Sequence, residues 1–132
     1  MRYPVLIHHE EGSAYGVTVP DIPGCFSAGD TLDEALDNTR LPIEFHLEGM
    51  ATDGEVAPAA SNISVCQQQD EYKDGIWALV EVDITPFMGK SEKVTITLPA
   101  ILIRKIDEEV KKGHGKNRSA WLADSAMRQI SQ

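Results

Sequence analysis

The feature that most constrains the fold is a short alternating segment near the C-terminus, residues 93–98. Its polar and apolar residues alternate strictly, which predicts a β-strand with Val94, Ile96 and Leu98 on one face. Pro99 ends this strand, and the residues that follow have helical spacing. A lone strand has two unpaired edges and, with only two helices, too small a core to be stable alone. This part of the chain is therefore predicted to fold together with a partner strand.

Two amphipathic helices are predicted after the strand. Residues 100–112 form the first, and Gly113 is placed to end it. The second follows Asn117, with either Asn117 or Ser119 as its N-cap. Apolar residues recur at Leu102, Ile103, Ile106 and Val110 in the first helix and at Trp121, Leu122, Ala126 and Ile130 in the second. The most economical partner is a second copy, whose strand pairs antiparallel about a two-fold axis so that four helices close over the apolar faces.

The polar face of such a paired ribbon carries Lys93, Thr95 and Thr97. A two-stranded ribbon fits the major groove of B-DNA, so these three side chains are predicted to contact base edges. Threonine discriminates less among bases than arginine or asparagine does. The two threonines alone are therefore not expected to provide sequence specificity.

The order of strand, Leu-Pro, amphipathic helix, glycine-containing turn, Asn-Arg-Ser and second helix resembles the ribbon-helix-helix repressor family over residues 93–130. The resemblance implies that the strand reads bases and that the start of the second helix holds a phosphate. The implied phosphate-binding residues are Asn117, Arg118 and Ser119. A helix N-terminus has free amides and a partial positive charge, which suits an anion. A unit that serves only for dimerisation remains the alternative.

Charge divides the chain into two parts. Residues 1–89 contain three basic and sixteen acidic residues, a net charge of −13, whereas residues 90–132 contain nine basic and five acidic residues, a net charge of +4. Such a split indicates two units that face different partners, the basic one facing phosphate. The alternative is an acidic surface that only keeps the protein in solution.

The N-terminal part begins with strand patterns. Residues 3–9 and 15–19 predict two strands joined by a short polar turn, hence a hairpin. Residues 20–25 contain two prolines and a glycine, so the chain changes direction there, and residues 25–28 predict a third short strand. Cys25 and the distant Cys66 lack the spacing of a metal or redox site and are predicted to be free thiols.

A helix is predicted next. Thr31 and Glu34 form a capping box that starts it at Leu32, and Pro42 is expected to kink it or break it in two. Its apolar stripe, expected to lie on the sheet, comprises Leu32, Leu36, Ile43, Leu47 and Met50, with Ala35 and Phe45 nearby.

The remaining segments of this part are a loop, a candidate for one further short strand, and a longer strand. Residues 51–61 predict the loop, residues 63–66 the short strand and residues 76–83 the longer one. The predicted fold class is α+β: a β-β-β-α-β domain over residues 1–84, a linker over 85–92, and a strand-helix-helix domain over 93–132.

The first domain also resembles a known family. Residues 12–20, the Asp21-Ile22-Pro23-Gly24-Cys25 turn and residues 29–36 are similar to HicB-type antitoxins, and the resemblance covers residues 2–83. It implies a degenerate RNase H-like fold that binds and blocks a HicA-like toxin, a small basic mRNA-cleaving protein. An acidic cover for a basic enzyme is physically reasonable. Candidate toxin contacts, each of which could equally serve the fold, are Tyr15, Asp21, Ile22, Pro23, Gly24 and Phe26.

Catalysis, a metal site and a cofactor are not expected. An RNase H-like two-metal site needs carboxylates converging on paired metals, and the first strand contains no acidic residue between Arg2 and His9. His8 and His9 would point to opposite faces of a strand and could not chelate one ion. No apolar run approaches the roughly 18 residues of a membrane span, so a cytoplasmic protein is expected.

Together the two resemblances imply an antitoxin that inhibits a HicA-like toxin and represses its own operon by binding operator DNA. It would be a homodimer through the C-terminal domain, and pairing of dimers into tetramers is left open. The main alternative is a ribbon-helix-helix repressor whose acidic domain senses a ligand or another protein. A nuclease with a DNA-binding tail is the third possibility.

Overall fold

The computed structural model describes residues 1–72 and 74–131. The chain forms two compact units, Met1–Met88 and Gly89–Gln132. Among the described residues, no helix has the length and apolar character needed to span a bilayer.

The first unit contains a four-stranded antiparallel sheet in the order β3-β2-β1-β4. The strands are β1 (Arg2–His9), β2 (Tyr15–Thr18), β3 (Phe26–Gly29) and β4 (Ile76–Glu81). The predicted hairpin is β1 with β2, and β4 pairs with the other side of β1. The predicted α+β class and the β-β-β-α-β order are confirmed.

The predicted helix begins where expected and is broken in two, α1 (Leu32–Asp37) and α2 (Arg40–Thr52). The hydroxyl of Thr31 accepts the amide N–H of Glu34 at 3.1 Å, which caps α1. The break precedes Pro42 because a proline ring clashes with the carbonyl four residues earlier, here that of Asn38, the C-cap of α1. Pro42 itself lies in the first turn of α2, where a missing N–H costs little.

The core of the first unit surrounds β1. Alternate residues of a strand face opposite sides of the sheet, and β1 is buried on both sides from Tyr3 to Ile7. The hydroxyl of Ser27 in β3 donates to the carbonyl of Ala35 in α1 at 3.5 Å. This hydrogen bond holds α1 against the face of the sheet to which Ser27 points. The largest buried side chains of the unit are Tyr3, Leu6, Ile7, Ile43, Leu47, Val5, Val17, Val19 and Val82.

One predicted strand is wrong. Residues 63–66 belong to α3 (Ile63–Gln67), and the 3₁₀ turn Asp70–Tyr72 follows it. The carbonyl of Asn62 accepts the amides of Val65 and Cys66 at 3.1 and 3.3 Å. A four-residue apolar run is too short for periodicity to separate strand from helix. A helical turn satisfies its own amides locally, so these residues need no strand partner.

The second unit contains the two predicted helices, α4 (Ala100–Lys111) and α5 (Arg118–Ile130). Gly113 follows α4 with a φ of +87°, and its N–H donates to the carbonyl of Val110 at 3.0 Å. The N–H of His114 donates to the carbonyl of Glu109 at 3.1 Å, which completes a Schellman C-cap. The predicted glycine stop is therefore confirmed.

The predicted strand at residues 93–98 has no partner within one chain. Residues 89–99 have no regular secondary structure, and Val94 and Ile96 are 76% and 56% exposed. A strand exists only when its backbone pairs with another strand. Because the partner was predicted to be a second copy, the intermolecular strand pair remains a prediction.

The close approach of β3 to α1 leads to a stability prediction. A Cβ added at Gly29 would lie 2.4 Å from the backbone N of Ala35, which cannot move aside as a side chain can. Gly29→Ala should lower the free energy of unfolding by roughly 1–3 kcal/mol, measured by urea denaturation with circular dichroism. The matched control is Gly49→Ala in α2, where the added Cβ meets nothing within 4 Å and should raise stability by about 0.5–1 kcal/mol. Equal midpoints for the two variants would contradict this packing.

Candidate functional site

The six residues predicted to contact DNA lie in two places, both accessible. Lys93, Thr95 and Thr97 lie in the segment without regular structure, and all three are exposed. Asn117, Arg118 and Ser119 lie at the start of α5 and are also exposed.

Asn117 is the N-cap of α5, which decides between the two predicted caps. Its backbone is extended, and its Oδ1 accepts the amide N–H of Ala120 at 2.8 Å. This bond occupies the third amide of the helix. The amides of Arg118 and Ser119 precede it, and amides at these positions have no acceptor inside a helix. The start of α5 therefore presents donors and a partial positive charge to an anion.

The side chain of Arg118 has a partner that the sequence analysis did not predict. Its Nε and Nη2 donate to the two carboxylate oxygens of Asp107 at 2.8 and 2.9 Å, joining the start of α5 to α4. These hydrogen bonds raise the pKa of Arg118 and lower the pKa of Asp107. The pair lies eleven positions apart in two helices, so no local spacing signals it. Arg118 can offer its amide to an anion while its guanidinium is held by Asp107.

The turn between α4 and α5 is basic. Lys111, Lys112 and Lys116 lie here with Arg118, all four are exposed, and residues 111–118 contain no acidic residue. His114 lies in the same turn, and its Nδ1 bonds the carboxylate of Glu109, which lowers the pKa of Glu109. The positive charge of the second unit is thus concentrated beside the capped start of α5, where it would add to the attraction for phosphate.

The second unit has a large uncovered apolar surface. Among residues 89–131, only Ile106 and Met127 are buried apolar side chains. Large apolar residues that remain exposed in the single chain are Val94, Ile96, Ile101, Leu102 and Ile130. Large apolar side chains left exposed in this way are typical of surfaces that contact another polypeptide.

Three of the six residues predicted to contact the toxin, Asp21, Ile22 and Gly24, stabilise the fold of the first unit. The carboxylate of Asp21 accepts the amide N–H of Ser61 at 2.8 Å and its hydroxyl at 2.6 Å, which ties the turn to the loop after α2. Ile22 is 2% exposed and belongs to the core. Gly24 has a φ of +82°, a conformation that residues with a side chain rarely adopt.

The other three predicted contacts are accessible but do not form one patch. Pro23 is exposed, and Phe26 is 64% exposed. The ring of Tyr15 stacks on His9 with centroids 3.9 Å apart. Phe26 lies opposite Thr18 in the sheet, and Thr18 is three residues from Tyr15, so Tyr15 and Phe26 project from opposite faces.

The structure also reveals a surface that the sequence analysis missed. An open groove of about 550 Å³ lies between the α1–α2 region and β4, lined mainly by Leu36, Arg40, Leu41 and Leu79. It adjoins a smaller depression lined by Leu41, Phe45 and Phe87 with Glu44 and Glu48. Together these two depressions form the β4-side groove. The sequence pattern predicts Phe45 near the buried apolar stripe of the helix, but its side chain is 75% exposed.

The described residues contain no group of three or more His, Cys, Asp and Glu side chains arranged to hold a metal ion. Cys25 and Cys66 are free thiols, as predicted, and both are buried. Burial raises the pKa of each thiol, which makes both poor nucleophiles at neutral pH.

The N-cap leads to a second stability prediction. Asn117→Ala removes the acceptor of the Ala120 amide and should lower the free energy of unfolding by about 1 kcal/mol. Ser119→Ala, two positions along, should change it by less than about 0.5 kcal/mol, since Ser119 is exposed and is not the cap. Thermal unfolding of both variants at one protein concentration measures the difference. Equal losses would contradict the assignment of the cap.

Comparison with known proteins identifies the family. The family model described as HicB-like antitoxin of bacterial toxin-antitoxin system matches residues 3–126. A 14.9 kDa protein from the rep-hol intergenic region of Haemophilus phage HP1 is 46% identical and covers 98% of each chain. The crystal structure of the Burkholderia pseudomallei antitoxin HicB is similar with a TM-score of 0.71 at 38% identity, covering 98% of each chain. The crystal structure of antitoxin HicB3 has a TM-score of 0.76 at 29% identity, again over 98% of each chain. The chain therefore belongs to the HicB-like antitoxin family of bacterial toxin-antitoxin systems.

Proposed function

We propose that this protein is a cytoplasmic, non-enzymatic antitoxin with two partners. Its acidic first unit binds and inhibits a small basic HicA-like mRNA-cleaving toxin, and its second unit binds operator DNA as a dimer and represses the operon. The observation that carries the proposal is the division of a HicB-family chain into a unit of net charge −13 and a unit of net charge +4, from three basic and sixteen acidic residues against nine and five. No cofactor takes part.

Charge supports the assignment of the toxin to the first unit. Complementary charge accelerates encounter and selects against wrong partners. A strongly acidic surface is suited to a basic RNA-cleaving protein and would repel nucleic acid. Among the candidate toxin contacts, Tyr15, Pro23 and Phe26 are the accessible ones, whereas Asp21, Ile22 and Gly24 act by holding the turn.

The exposed apolar segment supports dimerisation of the second unit. Pairing of residues 93–98 with the same segment of a second chain would cover Val94 and Ile96, which a single chain leaves 76% and 56% exposed. The opposite face of that ribbon would carry Lys93, Thr95 and Thr97 into the major groove. The amides of Arg118 and Ser119 and the lysines of the α4–α5 turn would then contact the backbone phosphates.

The direct test is a titration of the protein against DNA upstream of its own gene, with a non-cognate duplex, at several salt concentrations. Specific binding should weaken with salt by roughly 0.9 log units per phosphate contact for each tenfold increase in salt. Lys93→Ala should weaken operator binding and leave toxin binding unchanged. Arg2→Ala, which removes the same charge from the first unit, is the matched control and should leave operator binding unchanged. Loss of toxin binding in Lys93→Ala would show that the division of labour is wrong.

A truncation separates the two activities. A chain ending at Met88 keeps all four strands and the 3₁₀ turn Thr85–Phe87, which packs on α2. It should bind toxin, fail to bind operator DNA and form a smaller assembly, as measured by light scattering. A truncated chain that still shifts operator DNA would refute the assignment of DNA binding to the second unit.

A further inference from the structure

The β4-side groove has an apolar floor that the first unit does not use for its own core. Leu41 and Phe45, one turn apart on α2, are 72% and 75% exposed. Leu79 on β4 is 47% exposed, and Leu36 and Phe87 are half-buried at the margins. Single exposed apolar residues are common, but a contiguous group in a concave surface marks an interaction site.

The helix that forms one wall has two apolar faces. Ile43 and Leu47 are buried at 0% and 1% exposure and attach α2 to the sheet. Leu41 lies two positions before Ile43, and Phe45 lies two positions before Leu47; each shift is about 200° around a helix. They therefore lie on the side of α2 away from Ile43 and Leu47, and they remain mostly exposed. Packing within the first unit does not explain their apolar character.

The other wall is a sheet edge. In the order β3-β2-β1-β4, the outer side of β4 pairs with no other strand of the described chain. An edge strand presents free backbone donors and acceptors, to which another polypeptide can bind. The groove thus offers apolar contacts and backbone hydrogen bonds side by side.

The charges around the groove select the kind of occupant. Asp37, Glu44, Glu48 and Glu81 surround it, against one basic lining residue, Arg40. Glu81 is also within ion-pair distance of the N-terminal amine, 3.5 Å away. A second copy would bring this acidic rim against an identical one, and like charges in an interface are unfavourable. A basic protein would place its cations against the rim carboxylates.

We infer that the β4-side groove is the anchor site for the basic partner of the first unit, which inserts an apolar side chain between Leu41, Phe45 and Leu79. This inference rests on the proposed antitoxin function and specifies its contact surface. It places the toxin interface at the β4 edge, whereas Phe26, one of the candidate contacts from the sequence, lies in β3 at the opposite edge of the sheet.

The test uses the full-length chain and a HicA-family toxin encoded beside its gene, with affinity measured by calorimetry. The double variant Leu41→Ser/Phe45→Ser should lose about 30-fold or more in affinity, the size expected for truncation of buried anchor residues. Both positions are exposed, so the fold should persist, which urea denaturation checks. Phe26→Ser removes a 64% exposed aromatic ring from the β3 edge and should retain affinity within about threefold, since rim contacts are worth little.

Removal of negative charges from the groove's rim tests the same site independently. Glu44→Gln/Glu48→Gln should slow association with the toxin and weaken its salt dependence, because rim charges act mainly on the association rate. Glu10→Gln/Glu11→Gln removes the same charge from the turn between β1 and β2 and is the matched control. Equal effects of the two pairs would mean that only the overall charge matters, which would overturn the groove as the site.

The outcomes separate this inference from the proposed function. If Phe26→Ser loses affinity as much as the groove variant, or more, the groove is not the anchor and the antitoxin function stands. If the groove variant binds toxin normally but forms a smaller assembly, the groove belongs to a second copy and the inference is overturned. If the wild-type chain binds no toxin, the proposed function fails and the inference fails with it.

Discussion

The pairing of β1 with a strand on each side is the interaction on which the first unit depends. Because β1 is central, its residues from Tyr3 to Ile7 are buried on both faces, and the helices and loops arrange around them. Val82, just after β4, exchanges backbone hydrogen bonds with Met1 at 2.8 and 3.0 Å, which holds the start of the chain to the end of the sheet. The same order leaves β3 and β4 as the two edges of the sheet, and the proposed contact surface lies at the β4 edge.

The second unit, in contrast, has little core of its own. In a single chain its described residues form two helices and no strand pair, and Ile106 and Met127 are its buried apolar side chains. If a second copy supplies the partner strand, the protein binds DNA only as a dimer, because the ribbon that enters the major groove of DNA is made by two chains.

Several residues that stand out in the sequence as candidate partner contacts have their side chains bound within the fold. The carboxylate of Asp21 is held by Ser61, and the guanidinium of Arg118 is held by Asp107. In each case a charged group in a turn or at a helix start holds two segments together. The proposed partner contacts are less conspicuous in the sequence: two amides at the start of α5, and apolar side chains on the outer face of α2.

The sequence by itself determined those features that depend on neighbours along the chain. The hairpin, the cap of α1 at Thr31, the glycine stop at Gly113 and the alternation of residues 93–98 all follow from local periodicity and backbone preferences. Charge along the chain also separated the two units. Only the tertiary structure decided that residues 63–66 are helical, that Arg118 pairs with Asp107, and that Phe45 faces outward beside β4. These depend on which distant segments meet, because a strand needs a free partner, an ion pair needs proximity in space, and a helix with two apolar faces buries only the one that its own sheet covers.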